Sequence, residues 1–386
     1  MKALLAGASS SGRGGLPRRD PFWQRIHVDP WLLLLILVLA TVAGFVLYSA
    51  GSKSMSILYR QGAAYCVGLA VMLAVAQFKP RFMERWVPVA YVGCVLLLIA
   101  VLLVGTEAKG AQRWLTIPGV IRFQPSEIMK LVMPMAVAWY LARRNLPPGF
   151  KYICVTLAII GIPMVLILKQ PDLGTSLLVA ISGFFVLLLA GLRWRYIIGA
   201  AVLLGPIATA MWFFVMHEYQ KRRVLTFLNP ESDPLGTGYH ISQSKIAIGS
   251  GGLFGKGFNN GTQSHLNYLP EPHTDFVFAS MAEEWGLMGG LFVLAMYTLI
   301  LRWGWKVAAE SQDRFCALLA AGATATIFFY IAINLLMVMG MAPAKGIPLP
   351  WMSHGGSSMM TNMICIGLLM MVNRWNREAP RRGLAV

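Results

Sequence analysis

Charge is scarce in this chain of 386 residues: Asp, Glu, Lys and Arg make up only 13% of it, against 57% hydrophobic residues. So low a charged fraction, with mean hydropathy of +0.62, excludes an ordinary soluble domain. Acidic residues are scarcer still, 16 Asp and Glu against 33 Lys and Arg. The five cysteines (Cys66, Cys94, Cys154, Cys316, Cys365) all fall inside apolar runs and read as small buried hydrophobes rather than a disulfide framework. The six histidines are dispersed, with no HxxxH or CxxC spacing, which argues against a structural metal site. No cleavable leader is evident in the first residues either. The first apolar run begins only at Trp31, behind a charged tail rich in Gly, Ser and Ala, and reads as a retained span.

What the chain has instead is long apolar runs, and about 20 such residues cross a bilayer core. They predict about ten spans, near 31–49, 57–77, 87–105, 125–142, 152–168, 173–190, 196–216, 275–301, 315–338 and 357–373. Within 152–190, Lys169-Gln170-Pro171-Asp172 either separates two spans or folds one segment into a re-entrant pair. The fold class is therefore an all-α polytopic integral membrane protein. Its predicted parts are a cytoplasmic tail (1–30), a transmembrane domain (31–373) with a large extracytoplasmic loop (217–274) between spans seven and eight, and a second cytoplasmic tail (374–386).

Cation placement orients the bundle. Twenty of the 33 Lys and Arg residues fall on the side of the two termini, and five of the remaining 13 lie in the long loop, which translocates regardless of charge. Both termini are expected in the cytoplasm and the long loop outside, facing the periplasm of a bacterial inner membrane. The net charge of +17 is then an inside-positive signal spread over short loops, not a nucleic-acid-binding stripe.

The long loop has mixed content. Arg222 to Leu228 reads as an interfacial amphipathic helix, Asn229 to Gly236 as a turn, and Tyr239 to Ile248 as a helix. Six glycines between Gly249 and Gly261 follow, permitting tight turns and close backbone approach. Pro270-Glu271-Pro272-His273-Thr274-Asp275-Phe276 closes the loop, setting a carboxylate where water meets lipid at the mouth of a span.

Ionisable residues inside spans are costly and usually functional. Glu127 and Lys130, three apart behind Pro125, share a helix face. Glu127 suits the positive helix N-terminus and Lys130 does not, so the lysine needs an anion: Glu127, another carboxylate or a bound phosphate. Either a structural ion pair or an anion site satisfies that pattern. Asp275 reads equally as a helix cap or a chemical group. Glu283 and Glu284 lie two turns deeper, at least one of them facing the bundle interior against a cation or amide. Arg113, Arg122, Arg222, Arg223, Lys245 and Lys256 put an unusual number of cations on the outer side, which suits an anionic ligand.

These residues also carry a resemblance. Lys109 to Trp114, Gln124-Pro125-Ser126-Glu127, Gln170 to Thr175, Arg223 to Pro230, Gln243 to Gly252, Leu269 to Phe276, and Pro348-Leu349-Pro350 with Gly355-Gly356-Ser357 resemble, in order, the SEDS family (shape, elongation, division and sporulation). The Gln243 to Gly252 run and the short tails favour its elongation-type members. His354 departs from the pattern, where tyrosine is expected. The resemblance implies a peptidoglycan glycosyltransferase that polymerises lipid II at the outer membrane face, partnered by a class B penicillin-binding protein. It implies Asp275 as the family's essential outer-loop aspartate and Glu127 and Lys130 as its fourth-helix Glu and Lys. Arg113, Arg122, Arg223, Lys245 and His273 are candidates to bind diphosphate or sugar, and a divalent cation such as Mg or Mn is an open possibility. Three other readings stay open: a lipid II flippase or transporter, since broken helices and intramembrane charges serve those too, a division-type member with the same chemistry, and a scaffold whose loop docks the penicillin-binding protein, where Asp275 would affect complex formation rather than turnover. Ten of the 16 carboxylates lie outside or on helices entering from outside, which favours surface chemistry over a path through the bilayer.

Overall fold

The computed structural model describes residues 28–383 apart from 52–53, 109–110, 118–120, 217–220, 222–224, 226–236, 267, 270 and 343–345. Ten long helices match the ten predicted spans: α1 Pro30–Ala50, α2 Met55–Gln77, α3 Pro80–Val104, α4 Pro125–Ala142, α5 Phe150–Lys169, α6 Leu173–Leu189, α7 Trp194–Ala210, α10 Val277–Ala309, α11 Arg314–Val338 and α12 Gly356–Gly383. Two helices of the long loop, α8 Thr237–Ser250 and α9 Thr262–His265, stand between α7 and α10. Among the described residues eight helices are long and apolar enough to cross a membrane, α7 counted through the π-helical turn that continues it to Phe214, while α4 and α6 are shorter or more polar. The chain is a multi-pass membrane protein.

Helix starts follow local chemistry. Asp29 caps α1 by accepting from the N–H groups of Trp31 (3.1 Å) and Leu32 (3.4 Å), with Pro30 in the first turn. The same carboxylate accepts from Trp303 Nε1 (3.2 Å) and Arg377 Nη2 (3.3 Å), tying α1 to α10 and α12. Asp172 caps α6 through the Thr175 N–H at 3.1 Å, so 170–172 is a turn between two separate helices. Small residues allow close packing in lipid: a side chain at Gly322 of α11 would strike Pro134 of α4 at 2.8 Å. α11 sits among α4, α6, α10 and α12, and much of its length is enclosed.

Two features depart from expectation. The loop between α3 and α4 is a small antiparallel sheet, β1 Thr106–Ala108, β2 Ala111–Ile117 and β3 Ile121–Phe123 in sequential order. And Cys66 and Cys154 are exposed on the bundle surface rather than buried, although all five thiols are free. Of the amphipathic helix read over 222–228, only Leu225 falls within the described residues.

The glycine-rich loop answers a break in α10. Gly286 takes φ 67° and ψ −162°, which interrupts the helix. An unbroken helix would bond Leu287 N–H to the Glu283 carbonyl and Met288 N–H to that of Glu284. Here the loop satisfies all four groups: Lys256 and Gly257 donate to the Glu283 and Glu284 carbonyls (3.0 Å each), while Leu287 and Met288 donate to Gly252 (2.9 Å) and Leu253 (3.1 Å). Such proximity requires Gly255, where φ is +79° and a Cβ would lie 2.0 Å from the Glu284 oxygen. Glu283, wholly buried, fastens the same loop by accepting from Lys256 Nζ (2.6 Å) and the backbone N–H groups of Thr262 (2.9 Å) and Gln263 (3.1 Å). Glu284, also buried, accepts from Ser49 of α1.

Candidate active site

Glu127 stands in the first turn of α4, and Lys130 reaches back one turn to it, Nζ to Oε1 at 2.6 Å. Their side chains are only 14% and 4% exposed, a depth at which an unpaired charge is expensive. The other carboxylate oxygen accepts from Tyr330 of α11 and Thr361 of α12, both at 3.3 Å. The Tyr330 ring lies under the ammonium, 5.0 Å from its centroid. Sequence reading found the pair but not Tyr330 or Thr361, which come from helices distant in sequence.

Asp275 does not cap α10. The helix begins at Val277, with Phe276 rather than Asp275 in the cap position. Its backbone is held instead: Asn334 of α11 donates to the carbonyls of Asp275 (3.0 Å) and Ile347 (2.7 Å). Asn334 is fully buried and lies one helical turn beyond Tyr330. One face of α11 thus contacts both candidate carboxylate segments, Glu127 through Tyr330 and the Asp275 backbone through Asn334, two anchors about 6 Å apart along the α11 axis.

The 346–355 segment is laced to Asp275. Ser353 Oγ donates to the Thr274 carbonyl (2.5 Å) and accepts from Leu349 N–H (2.8 Å), and His354 N–H donates to the His273 carbonyl (2.9 Å). Tyr297 donates to the Pro350 carbonyl at 2.6 Å, Gln61 to that of Ser353 at 3.2 Å, and Tyr65 to that of Trp351. The rings of His273 and His354 are 6.2 Å apart. Burial first, then the neighbouring charges of His273 and Arg60, push the His354 pKa below its ordinary value of 6.5.

Among the other predicted residues, Arg113 of β2 is clamped to the turn between α5 and α6. It donates to the carbonyls of Gln170 (3.3 Å) and Pro171 (2.5 Å), and approaches Asp172 at 3.6 Å. Gln124 donates to the same aspartate at 3.4 Å, linking that turn to the start of α4. Lys245 is exposed on α8, its ammonium lying over the turn at Gly340. Arg122 is in β3, its side chain outside the described residues, as is the whole of Arg223. Among the described residues no three His, Cys, Asp or Glu side chains converge. A cavity of ≈ 480 Å³ opens beside Glu127 between α2, α4 and α12. Gln124, Ser357 and Thr361 give it polar atoms, and Val67, Leu131 and Met360 line it with apolar surface.

The model of the FtsW/RodA/SpoVE family, described as cell cycle protein, matches residues 25–378. The chain belongs to that family. It is 47% identical over 357 residues to the peptidoglycan glycosyltransferase MrdB of Escherichia coli K12, covering 92% of this chain and 96% of the relative. It also resembles a chain of a peptidoglycan synthase complex whose structure describes coordinated polymerization and crosslinking. That match has 30% identity and a TM-score of 0.78 over 90% of this chain and 98% of the other. The rod shape determining protein RodA of Thermus thermophilus matches at 29% identity and a TM-score of 0.67, over 90% and 96% of the two chains.

Proposed function

We propose that this family member is a peptidoglycan glycosyltransferase of cell elongation, polymerising lipid II into β-1,4 glycan strands, with Asp275 as general base. The observation that carries the reading is the shared face of α11, where Tyr330 steadies Glu127 and Asn334 steadies the Asp275 segment. Two carboxylate-bearing segments are thereby held together at one end of the bundle, without Asp275 serving as a helix cap. Near-complete coverage of a relative named for this activity supports it further.

In the proposed reaction Asp275 takes the proton of the acceptor sugar's 4-hydroxyl as that oxygen bonds to the donor's anomeric carbon. The bond from that carbon to the diphosphate oxygen breaks, and the undecaprenyl diphosphate leaves with the electron pair. By analogy with glycoside hydrolysis the carbon passes through an oxocarbenium-like state, and direct attack converts an α-linked donor into a β-linked product. Diphosphate is a stable anion, so departure requires positive charge rather than a strong acid. Lys130 supplies that charge from a buried position, steadied by Glu127, with Arg113, Arg122, Arg223, Lys245 and His273 as further contacts to diphosphate and sugar. The apolar cavity beside Glu127 suits a prenyl chain. The site faces the periplasm with both termini in the cytoplasm, and the partner is a class B penicillin-binding protein. The similar chain's place in a synthase complex supports such a partnership.

The test is glycan-strand formation from lipid II by the purified protein with its cognate penicillin-binding protein, transpeptidation blocked. Asp275→Asn should form the complex and make no polymer. Equal polymerisation by both proteins would refute the general-base role. Absence of polymer from the wild type, with movement of lipid II between leaflets, would favour a flippase.

A further inference from the structure

At the opposite end of α4 from Glu127 lies a second cavity, of ≈ 430 Å³, between the start of α3 and the end of α4. Arg81, Glu84, Arg85, Trp139 and Arg143 line it, with Pro88. We propose that it binds the phosphate headgroup of an anionic phospholipid in the cytoplasmic leaflet.

Charge comes first. Three guanidinium groups meet one carboxylate, and Glu84 is already committed to Arg143, accepting from Nε at 3.2 Å and Nη2 at 3.0 Å. Arg81 and Arg85, both exposed, therefore have no carboxylate of their own in this cavity. The helix makes this worse: α3 begins with Lys79 in the cap position, no side-chain cap bond and no acidic residue in its first turn. Its N-terminal N–H groups and Arg81 add positive charge to positive, an arrangement that favours a bound anion. Trp139 contributes an indole nitrogen that is buried without a hydrogen-bond partner, and Arg143 stacks on its ring at 4.7 Å. Arg81 is steadied from the other side by Trp375, 5.8 Å from the ring centroid.

Depth selects a lipid. Phe78, Phe82 and Trp86 recur every fourth residue beside the cavity, all exposed, with centroids 5.4 Å and 6.3 Å apart along the ladder. An exposed aromatic row next to arginines marks the level of the headgroups. Trp139 and Arg143 lie 12 and 16 residues beyond Glu127 along α4, about 18 and 24 Å along the helix axis, which places this cavity toward the opposite face of the bilayer. Basic pockets between transmembrane helices on the cytoplasmic side suit anionic headgroups.

The experiment titrates the purified full-length protein in detergent with dioleoyl-phosphatidylglycerol, dioleoyl-phosphatidylcholine or inorganic phosphate, reading the thermal unfolding midpoint. Phosphatidylglycerol alone should raise it. Arg81→Gln with Arg85→Gln, which spares the Glu84–Arg143 pair, should weaken the response about thirtyfold, near fivefold per cation. Arg193→Gln with Arg195→Gln, an equal charge change at the start of α7, should respond like the wild type. Trp139→Phe, which keeps every charge, should respond about tenfold more weakly; it carries the test if the double arginine variant does not fold. Equal responses from all variants, an equal loss in the Arg193 and Arg195 control, or an equal shift with inorganic phosphate would overturn the proposal.

Discussion

Lys130 Nζ and Glu127 Oε1 lie 2.6 Å apart, one turn from each other on α4 and almost out of reach of solvent. Removing one partner from such a pair leaves a buried charge without compensation, which costs about 3–5 kcal/mol. We predict that Lys130→Met lowers stability by that amount and abolishes polymerisation. Adding Glu127→Gln should restore most of the stability and none of the activity. Chemical unfolding in detergent beside a lipid II polymerisation assay separates the two effects. A double variant as unstable as the single one would show that the pair is not the reason for the loss.

Gly346 is the neighbour that sets the space around Asp275. A Cβ at that position would lie 3.0 Å from Asp275 Oδ2, closer than ordinary contact, so the carboxylate must move by a few tenths of an ångström. A general base works by position before it works by pKa, and a misplacement of 1 Å can cost about a hundredfold. Gly346→Ala is therefore predicted to lower kcat by about tenfold with KM and the unfolding midpoint unchanged. An unchanged kcat would mean that the Asp275 side chain does not act from this position.

The ten spans were legible because each apolar run has to cross the bilayer alone, and length by itself reports that. The Glu127–Lys130 pair was legible because three-residue spacing on a helix is a local rule. The partners of that pair were not: Tyr330 and Thr361 belong to helices about 200 residues downstream, and nothing in their surroundings singles them out. Arg113 illustrates the same gap. Its outer-loop position suggested an anion ligand, but only tertiary structure shows its contacts with Gln170, Pro171 and Asp172. The three short strands between α3 and α4 gave no alternation long enough to read. The glycines after α8 did signal close backbone approach, without revealing that the surface approached was a break in α10.

That break yields a third prediction. At Gly255 the backbone is left-handed and a Cβ would collide with the Glu284 carbonyl, a backbone atom that cannot turn aside. Gly255→Ala should detach the loop from α10 or strain both, at a cost of at least about 3 kcal/mol. Gly249→Ala, where nothing lies within 4 Å, is the control. Limited proteolysis should cut the Gly255→Ala protein within 251–263 and leave the control intact. Equal resistance of the two proteins would refute the docking role of the loop.

His354 supplies a pH dependence with a definite sign. Burial first, then the charges of His273 and Arg60, hold its folded pKa below 6.5, so the folded protein resists a proton that the unfolded chain accepts. Where the unfolded state binds more protons, stability rises with pH. The contribution of His354 is therefore complete above pH 6.5 and is lost as pH falls from there toward the lowered folded value. Other groups titrate over the same interval, so the informative quantity is the difference between wild type and a variant without the imidazole. His354→Gln should lose less of its unfolding midpoint than the wild type between pH 7.5 and about pH 5.5. Parallel curves for the two proteins would show that His354 does not link protonation to the fold.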